Sequence, residues 1–187
     1  MKTRLDVALV ERGLCPTRTR AQAALLAGKV RVNGQPATKP GSTVQPDDVL
    51  ELVGTDRYVS RGGNKLEHAL RHFRLDVTGA RALDLGASTG GFTDCLLQHG
   101  AARVWAVDVG QGQLAWRLRQ DPRVVVRERT NARHLAPSDL APDGAPFDLV
   151  VIDCSFISLR RVWPACPPLL ARTGRVVALI KPQFEAG

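Results

Sequence analysis

The feature that most constrains the fold is a regular succession of apolar runs between residues 81 and 181. Five runs read as strands, at Arg81–Leu85, Arg103–Val107, Val124–Glu128, Phe147–Asp153 and Arg175–Lys181. Several of them are continuously apolar, which is typical of strands buried on both faces of a parallel sheet. Segments of helical character, near 91–99, 111–119 and 158–171, separate most of the runs. This alternation predicts a doubly wound α/β domain over residues 81–187, with ligands bound beyond the carboxyl ends of its strands.

A glycine-rich loop follows the first of these strands directly, in the sequence LDLGASTGGFT at residues 83–93. Glycine lets backbone N–H groups approach a ligand closely and opens a helix behind the loop. The spacing is neither the G-x-G-x-x-G of dinucleotide sites nor the G-K-[ST] of phosphate-binding loops. Asp84 suits a cofactor with a positively charged amino-acid moiety. Asp108, which ends the second strand 22 residues after Gly86, can accept hydrogen bonds from both ribose hydroxyls.

Residues 1–53 read as a smaller α+β module. Leu5, Leu9 and Val10 have helical spacing, and Thr17 can cap a second helix that ends at Gly28. The sequence VRVNGQP at residues 30–36 predicts a β-hairpin around an Asn-Gly turn, and residues 44 and 49–53 add further strand. Residues 54–80 form a connector, in which Asn64 is expected to cap a helix that carries Lys65, Leu66, Ala69, Leu70 and Phe73.

The composition favours a polyanionic partner, since 26 Lys and Arg against 18 Asp and Glu give a net charge of +8. No apolar run approaches the roughly 20 residues needed to cross a bilayer, and the start of the chain has no signal-peptide core, so we expect a cytoplasmic protein without membrane contact. The four scattered cysteines form no C-x-x-C pair. We interpret them as reduced packing residues and expect no metal site.

Three stretches of the first module together resemble the S4 domain of ribosomal and RNA-modifying proteins. They are RLD at residues 4–6, TRTRAQ at 17–22 and GKVRVNG at 28–34. Arginines beside a helix N-terminus are well suited to binding phosphate. The resemblance implies RNA binding, for which the candidate residues are Arg4, Arg18, Arg20, Lys29, Arg31 and, in the connector, Arg61.

The glycine loop and its two acids look like the S-adenosylmethionine site of a class I, Rossmann-like methyltransferase. By this resemblance, Asp108 holds the ribose of the cofactor and Asn131, after the third strand, touches the adenine. The full set of candidate cofactor-binding residues is Asp84, Gly86, Ser88, Gly90, Gly91, Phe92, Asp108 and Asn131.

Three charged residues, Lys65, Asp153 and Lys181, converge on the same edge of the predicted sheet. A ribose 2′-hydroxyl needs a base or a charge field to remove its proton before it can accept a methyl group. The three positions resemble members of the Lys-Asp-Lys-Glu tetrad of FtsJ-like 2′-O-methyltransferases. The motifs around them, SRGGNKL at 60–66, VIDCSFISL at 151–159 and KPQFE at 181–185, look most like the TlyA branch.

The TlyA resemblance covers essentially the whole chain and implies methylation of a ribose, usually that of a cytidine, in ribosomal RNA. Lys181 would then accept the proton, with Asp153 and Lys65 setting its environment and placing the ribose. One feature departs from the family. Such domains normally have two further strands, which carry the glutamate of the tetrad, and Glu185 does not match that position. We therefore expect impaired catalysis by this polypeptide and an exposed edge at its fifth strand.

Three alternatives to the methyltransferase remain at the level of sequence. The chain could be an RNA- or ribosome-binding module with a vestigial cofactor pocket, which is the second hypothesis. A third hypothesis is a cytolysin, because relatives have been labelled haemolysins. It is remote, since the sequence shows no membrane-spanning segment and no clear amphipathic insertion segment. A pseudouridine synthase with an S4 domain would not account for Asp84, Gly90 and Asp108. The sequence does not indicate the oligomeric state.

Overall fold

The computed structural model describes residues 2–54, 57–140 and 144–186. The chain divides into two compact units, Met1–Thr55 and Asp56–Gly187. Each unit has its own hydrophobic core.

The first unit consists of two short helices and small antiparallel strands. The helices are α1 (Leu5–Glu11) and α2 (Arg18–Leu26). Strands β1 (Thr3–Arg4) and β4 (Thr43–Val44) pair with each other, and β2 (Val30–Val32) lies between β3 (Gln35–Pro36) and β5 (Leu50–Leu52). As predicted, Asn33 and Gly34 turn the hairpin, both with the positive φ that its tight turn requires. The Thr17 hydroxyl caps α2 by accepting a hydrogen bond from the Arg20 N–H at 3.3 Å.

The second unit is built on a parallel sheet of five strands. They are β6 (Arg81–Leu85), β7 (Arg103–Val107), β8 (Val124–Arg127), β9 (Phe147–Ile152) and β10 (Leu170–Ala178), in the order β10-β9-β6-β7-β8. The prediction of an α/β domain with a parallel sheet is thus confirmed, and the fifth strand lies at an edge. The strand order reverses between β6 and β9, which is where ligands bind in sheets of this kind.

The helices of the second unit differ from the sequence expectations at three places. Helix α3 (Gly62–His72) begins two residues before Asn64, so the prediction that Asn64 caps it was wrong. In 111–119, only α5 (Trp116–Arg119) is α-helical. The stretch 158–171 contains α7 (Leu159–Val162) and two 3-10 turns, and the prolines at 164, 167 and 168 account for the break because they lack an N–H donor.

The remaining helices are α4 (Gly91–Gln98), α6 (Pro137–Leu140) and α8 (Pro182–Glu185). Strand β10 starts at Leu170, five residues before the predicted position, and its pairing with β9 is irregular between Leu170 and Arg175. All four cysteines carry free thiols, and three of them are buried. Within the described ranges, no helix combines the length and the apolar character that crossing a membrane requires.

Candidate active site

The glycine loop is pressed against the ends of three strands. The N–H groups of Gly86 and Ala87 both donate to the Val107 carbonyl, at 2.9 and 3.1 Å. Gly86 has a φ of +84°, and a Cβ there would lie 3.0 Å from the Asp153 carbonyl oxygen. Gly90 has a φ of +95°, and its Cβ would lie 2.3 Å from Leu118 Cδ1. The positive φ therefore favours glycine at both positions, and at Gly86 the Asp153 backbone also leaves little room for a side chain.

A first cavity, of about 480 Å³, opens beyond β6 and β7. Asp108 lines it, and its carboxylate accepts hydrogen bonds from the Ser88 N–H at 2.8 Å and the Gly110 N–H at 2.7 Å. These two bonds fix the carboxylate, and each oxygen keeps acceptor capacity for a ligand hydroxyl. Asn131 also lines the cavity, with apolar walls from Phe156, Ile157 and Val162. Both the size and the mixed lining are typical of small-molecule sites.

Asp84 does not line this cavity or the next one. It is fully buried beneath the loop, where its Oδ2 accepts hydrogen bonds from the Thr93 N–H at 2.9 Å and the Thr93 hydroxyl at 2.7 Å. Its Oδ1 has no hydrogen-bond partner among the described residues. Burial raises the pKa of Asp84 to about 7. The structure thus places Asp84 beneath the loop, where it supports the start of α4.

A second cavity, of about 470 Å³, contains the three charged residues that resemble members of the FtsJ-like tetrad. Lys181 Nζ lies 2.6 Å from Asp153 Oδ1 and donates to the Ser155 hydroxyl at 2.8 Å. Both members of the ion pair are about four-fifths buried, with 19% and 22% of their side-chain surface exposed. Lys65, on the first turns of α3, lines the same cavity. The structure therefore brings the three residues named from the sequence into one chamber.

The two cavities share part of their walls. Gly86, Ser88, Asp153 and Ser155 line both of them. Gly91 and Phe92 line the second cavity, together with Arg61, whereas Gly90 lines neither. A small molecule bound in the first cavity would therefore lie next to the cavity that contains the Lys181–Asp153 ion pair.

Two residues lie inside motifs quoted from the sequence but were given no functional role there. Ser155 accepts a hydrogen bond from the Lys181 ammonium, yet a serine within VIDCSFISL carries no signal of its own. Glu185 accepts hydrogen bonds from the Ser158 hydroxyl and the Leu159 N–H, both at 2.7 Å, and so joins the KPQFE segment to the start of α7. Those bonds lower the pKa of Glu185. Only the spacing within KPQFE pointed to this residue, without indicating a role.

The RNA-binding candidates of the first unit fall into two groups. Arg4 and Arg18 both bind the carboxylate of Asp6. Arg20 and Arg31 are exposed, on α2 and β2, and Lys29 is half-buried before β2. Arg61 belongs to the other unit, where it lies at the start of α3 beside the second cavity.

The residues present fit S-adenosylmethionine. The fixed carboxylate of Asp108 offers two acceptors for vicinal ribose hydroxyls, and the side chain of Asn131 adds a polar group further along the first cavity. Gly86, which lines both cavities, packs so closely against the Asp153 backbone that a side chain at this position would have little room.

Comparison with known proteins agrees with this geometry. A family model for FtsJ-like methyltransferases matches residues 58–187, and a model for the S4 domain matches residues 3–50. Over its full length, the chain is 53% identical to "Putative rRNA methyltransferase YqxC" of Bacillus subtilis, of which it covers 66%. It is 52% identical to "16S/23S rRNA (cytidine-2'-O)-methyltransferase TlyA" of Mycobacterium tuberculosis, again over all of this chain and 69% of the relative.

A solved structure, "Putative hemolysin from Streptococcus thermophilus", superposes with a TM-score of 0.72 at 48% identity, over the whole of this chain and 68% of that one. The chain thus spans about two thirds of the length of these relatives. Because the matched family model covers residues 58–187, and the S4 model precedes it, the chain belongs to the FtsJ-like methyltransferase family, in the S4-bearing form to which TlyA belongs.

Proposed function

We propose that this chain forms the RNA-binding and catalytic parts of an S-adenosylmethionine-dependent enzyme that methylates the 2′-hydroxyl of a cytidine ribose in ribosomal RNA. The observation that carries the proposal is the Lys181–Asp153 ion pair, at 2.6 Å, in a cavity that shares its wall with the candidate cofactor cavity. The names of the relatives in Bacillus subtilis and Mycobacterium tuberculosis support the substrate class. We expect the enzyme to act in the cytoplasm on ribosomal subunits or their RNA.

The proposed chemistry assigns a step to each charged residue. The cofactor would supply an electrophilic methyl group in the first cavity, held by Asp108 and Asn131. In its neutral form, Lys181 accepts the proton of the ribose hydroxyl at Nζ, and Asp153 stabilises the ammonium that results. Lys65, exposed at the rim of the second cavity, binds and orients the RNA backbone next to the ribose. The glycine loop keeps the two sites within reach of each other.

The test is transfer of labelled methyl from S-adenosylmethionine to purified small and large ribosomal subunits. It uses this chain and a chimaera that adds the part of the Mycobacterium tuberculosis relative that this chain does not cover. Nuclease and alkali mapping of the product shows whether the label lies on a ribose. We expect Lys181→Ala to lower the rate by about 10²- to 10⁴-fold, the usual contribution of an acid–base group. Cofactor affinity, measured by calorimetry, should change little.

Lys39→Ala is the matched control, because Lys39 is exposed in the first unit and contributes to neither cavity. It should retain the transfer rate. Ribose labelling that survives Lys181→Ala would contradict the role of Lys181. If neither the chain nor the chimaera transfers methyl while both bind cofactor and RNA, the protein is a binding module and the catalytic proposal fails.

A further inference from the structure

Asp6 stands apart from the other charged residues of the first unit. Among the residues described there, it is the one charged side chain with no exposed surface. It lies in the first turn of α1 and binds two arginines that sequence analysis selected as RNA contacts, Arg4 and Arg18. In the sequence, Asp6 has no indicated role beyond its place in the RLD motif.

We infer that Asp6 is a positioning residue for RNA, which holds Arg4 and Arg18 together as one paired binding site for a backbone phosphate. This inference rests on the proposed function, because it concerns how the first unit binds ribosomal RNA. It assigns to Asp6 no contact with RNA, since the carboxylate is buried beneath the two guanidinium groups.

The geometry of the cluster is that of a buried anchor. Arg4 donates from Nε to Asp6 Oδ1 and from Nη2 to Oδ2, both at 3.1 Å. Arg18 donates from Nε to Oδ2 at 2.8 Å, and Gln22, one turn later on α2, donates to the same oxygen at 2.8 Å. Because Oδ2 is shared, Arg4 Nη2 and Arg18 Nε lie within about 6 Å of each other, the sum of their two contact distances.

The arginines keep donors for a ligand. Their side chains are 49% and 56% exposed, although the carboxylate that they share is not exposed at all. Arg18 uses only Nε toward Asp6, and within the part of the chain that the structure describes its two terminal nitrogens meet no protein acceptor. Two terminal N–H groups on a planar guanidinium form the fork that binds phosphate oxygens.

Stability alone is a weak reason for this arrangement. A buried ion pair gains little over apolar packing, because removing the carboxylate from water costs about as much as the pair returns. Two guanidinium groups this close also repel each other, and the carboxylate between them offsets the repulsion. With Asp6 in place, the guanidinium groups of Arg4 and Arg18 are half exposed and held at a fixed distance from each other. The net charge of the three side chains is then +1.

The substitution Asp6→Asn distinguishes positioning from simple charge. The variant raises the net charge of the chain from +8 by one, so electrostatics alone predicts tighter RNA binding. Positioning predicts the opposite, because the freed arginines separate. We expect the affinity for purified ribosomal subunits to fall about tenfold. The dependence of log K on log salt should become shallower by about one, as for the loss of one phosphate contact.

A second variant avoids the buried site. Arg18→Lys keeps the charge but removes both the Nε donor to Asp6 and the terminal fork, and we expect about a tenfold loss of affinity. Arg12→Lys is the matched control. The Arg12 guanidinium donates hydrogen bonds to the backbone carbonyls of Gln45, Pro46 and Asp48. Its replacement should therefore lower the stability of the first unit and leave RNA affinity unchanged.

Circular dichroism and thermal unfolding of each variant show whether the first unit is folded. A folded Asp6→Asn chain that binds subunits as tightly as the wild type, or more tightly, would overturn the inference. Unchanged binding by Arg18→Lys would do the same, even if Asp6→Asn does not fold. If the wild-type chain itself shows no salt-dependent binding to ribosomal subunits, the proposed RNA substrate fails and the inference falls with it.

Discussion

Asp84 lies at the end of β6, fully buried beneath the glycine loop. In the structure, α4 begins directly above it, and Thr93 supplies two hydrogen bonds to one oxygen of a carboxyl that solvent does not reach. Burial is the largest cause of its raised pKa, and the charges of Asp153 and Asp108 act in the same direction.

This pKa predicts a particular dependence of stability on pH. An unfolded aspartate has a pKa near 3.9, whereas folded Asp84 has a pKa of about 7. Between these values the folded state holds more protons than the unfolded state, so the contribution of Asp84 to the free energy of unfolding falls as pH rises from about 4 to 7, and is constant above that. At about 1.4 kcal/mol per pKa unit, the loss is at most roughly 4 kcal/mol.

The variant Asp84→Asn tests this, because an amide oxygen can accept both Thr93 bonds and does not titrate. We expect the advantage of the variant over the wild type, in urea unfolding, to grow from pH 4 to pH 7 and then to stay constant. Parallel curves for the two chains across this range would show that Asp84 is ionised in the folded protein at low pH, contrary to the prediction.

At the scale of elements, the starts of α3 and α4 meet through glycine. A Cβ on Gly91 would lie 2.2 Å from Ser60 Oγ and 2.9 Å from the backbone nitrogen of Gly63, so neither neighbour has room for it. A Cβ on Gly62 would find the Ser60 hydroxyl at 3.4 Å and Phe92 at 3.7 Å, which are ordinary contacts. This close approach sets where Lys65, on α3, stands relative to the glycine loop.

Gly91→Ala and Gly62→Ala therefore form a matched pair. Overpacking between the two helices should make Gly91→Ala less stable by about 1–3 kcal/mol. Gly62→Ala should be neutral or stabilising by up to about 1 kcal/mol, because alanine favours the helix. Chemical unfolding midpoints measure both effects. Equal effects of the two substitutions would mean that the junction of α3 and α4 adjusts freely.

The elements differ in how well the sequence predicts them, and the reason is physical. The strands β6, β7 and β9 are short apolar runs between polar loops. Their length and their apolar character both indicate buried strands. The region before β10 was predicted to be helical over residues 158–171. The prediction did not take account of Pro164, Pro167 and Pro168, which interrupt the helix. The start of α3 was misplaced because Gly62 and Gly63 are weak helix formers, and close packing against Tyr58 and α4 overrides that preference.

The candidate site divides in the same way. Asp153 and Lys181 were predictable as neighbours, because the ends of parallel strands meet at one edge of the sheet. Lys65 lies on helix α3 and was placed beside them only by the family resemblance. The burial of Asp84, the contact of Ser155 with Lys181 and the anchoring of Glu185 depend on loops whose paths arise from tertiary packing. Local sequence carries no signal for such contacts.

At the scale of the whole molecule, the two units have cores of very different size. Nine buried apolar residues form the described core of the first unit, against thirty in the two clusters of the second. Since buried apolar area is the main favourable term in folding, and small domains bury a smaller fraction of their surface, we expect the first unit to open more readily than the second.

Native-state hydrogen exchange measures this difference for each amide. The slowest exchange should belong to β6 and β9, the central strands of the parallel sheet, with the free energy of global unfolding. The amides of α1, α2 and β2 should exchange through a separate opening of lower free energy, which ribosomal RNA should raise if the first unit binds it. A single opening free energy shared by both units would show that they unfold as one cooperative body. In that case the first unit derives its stability from the second, and its nine-residue core is not what holds it together.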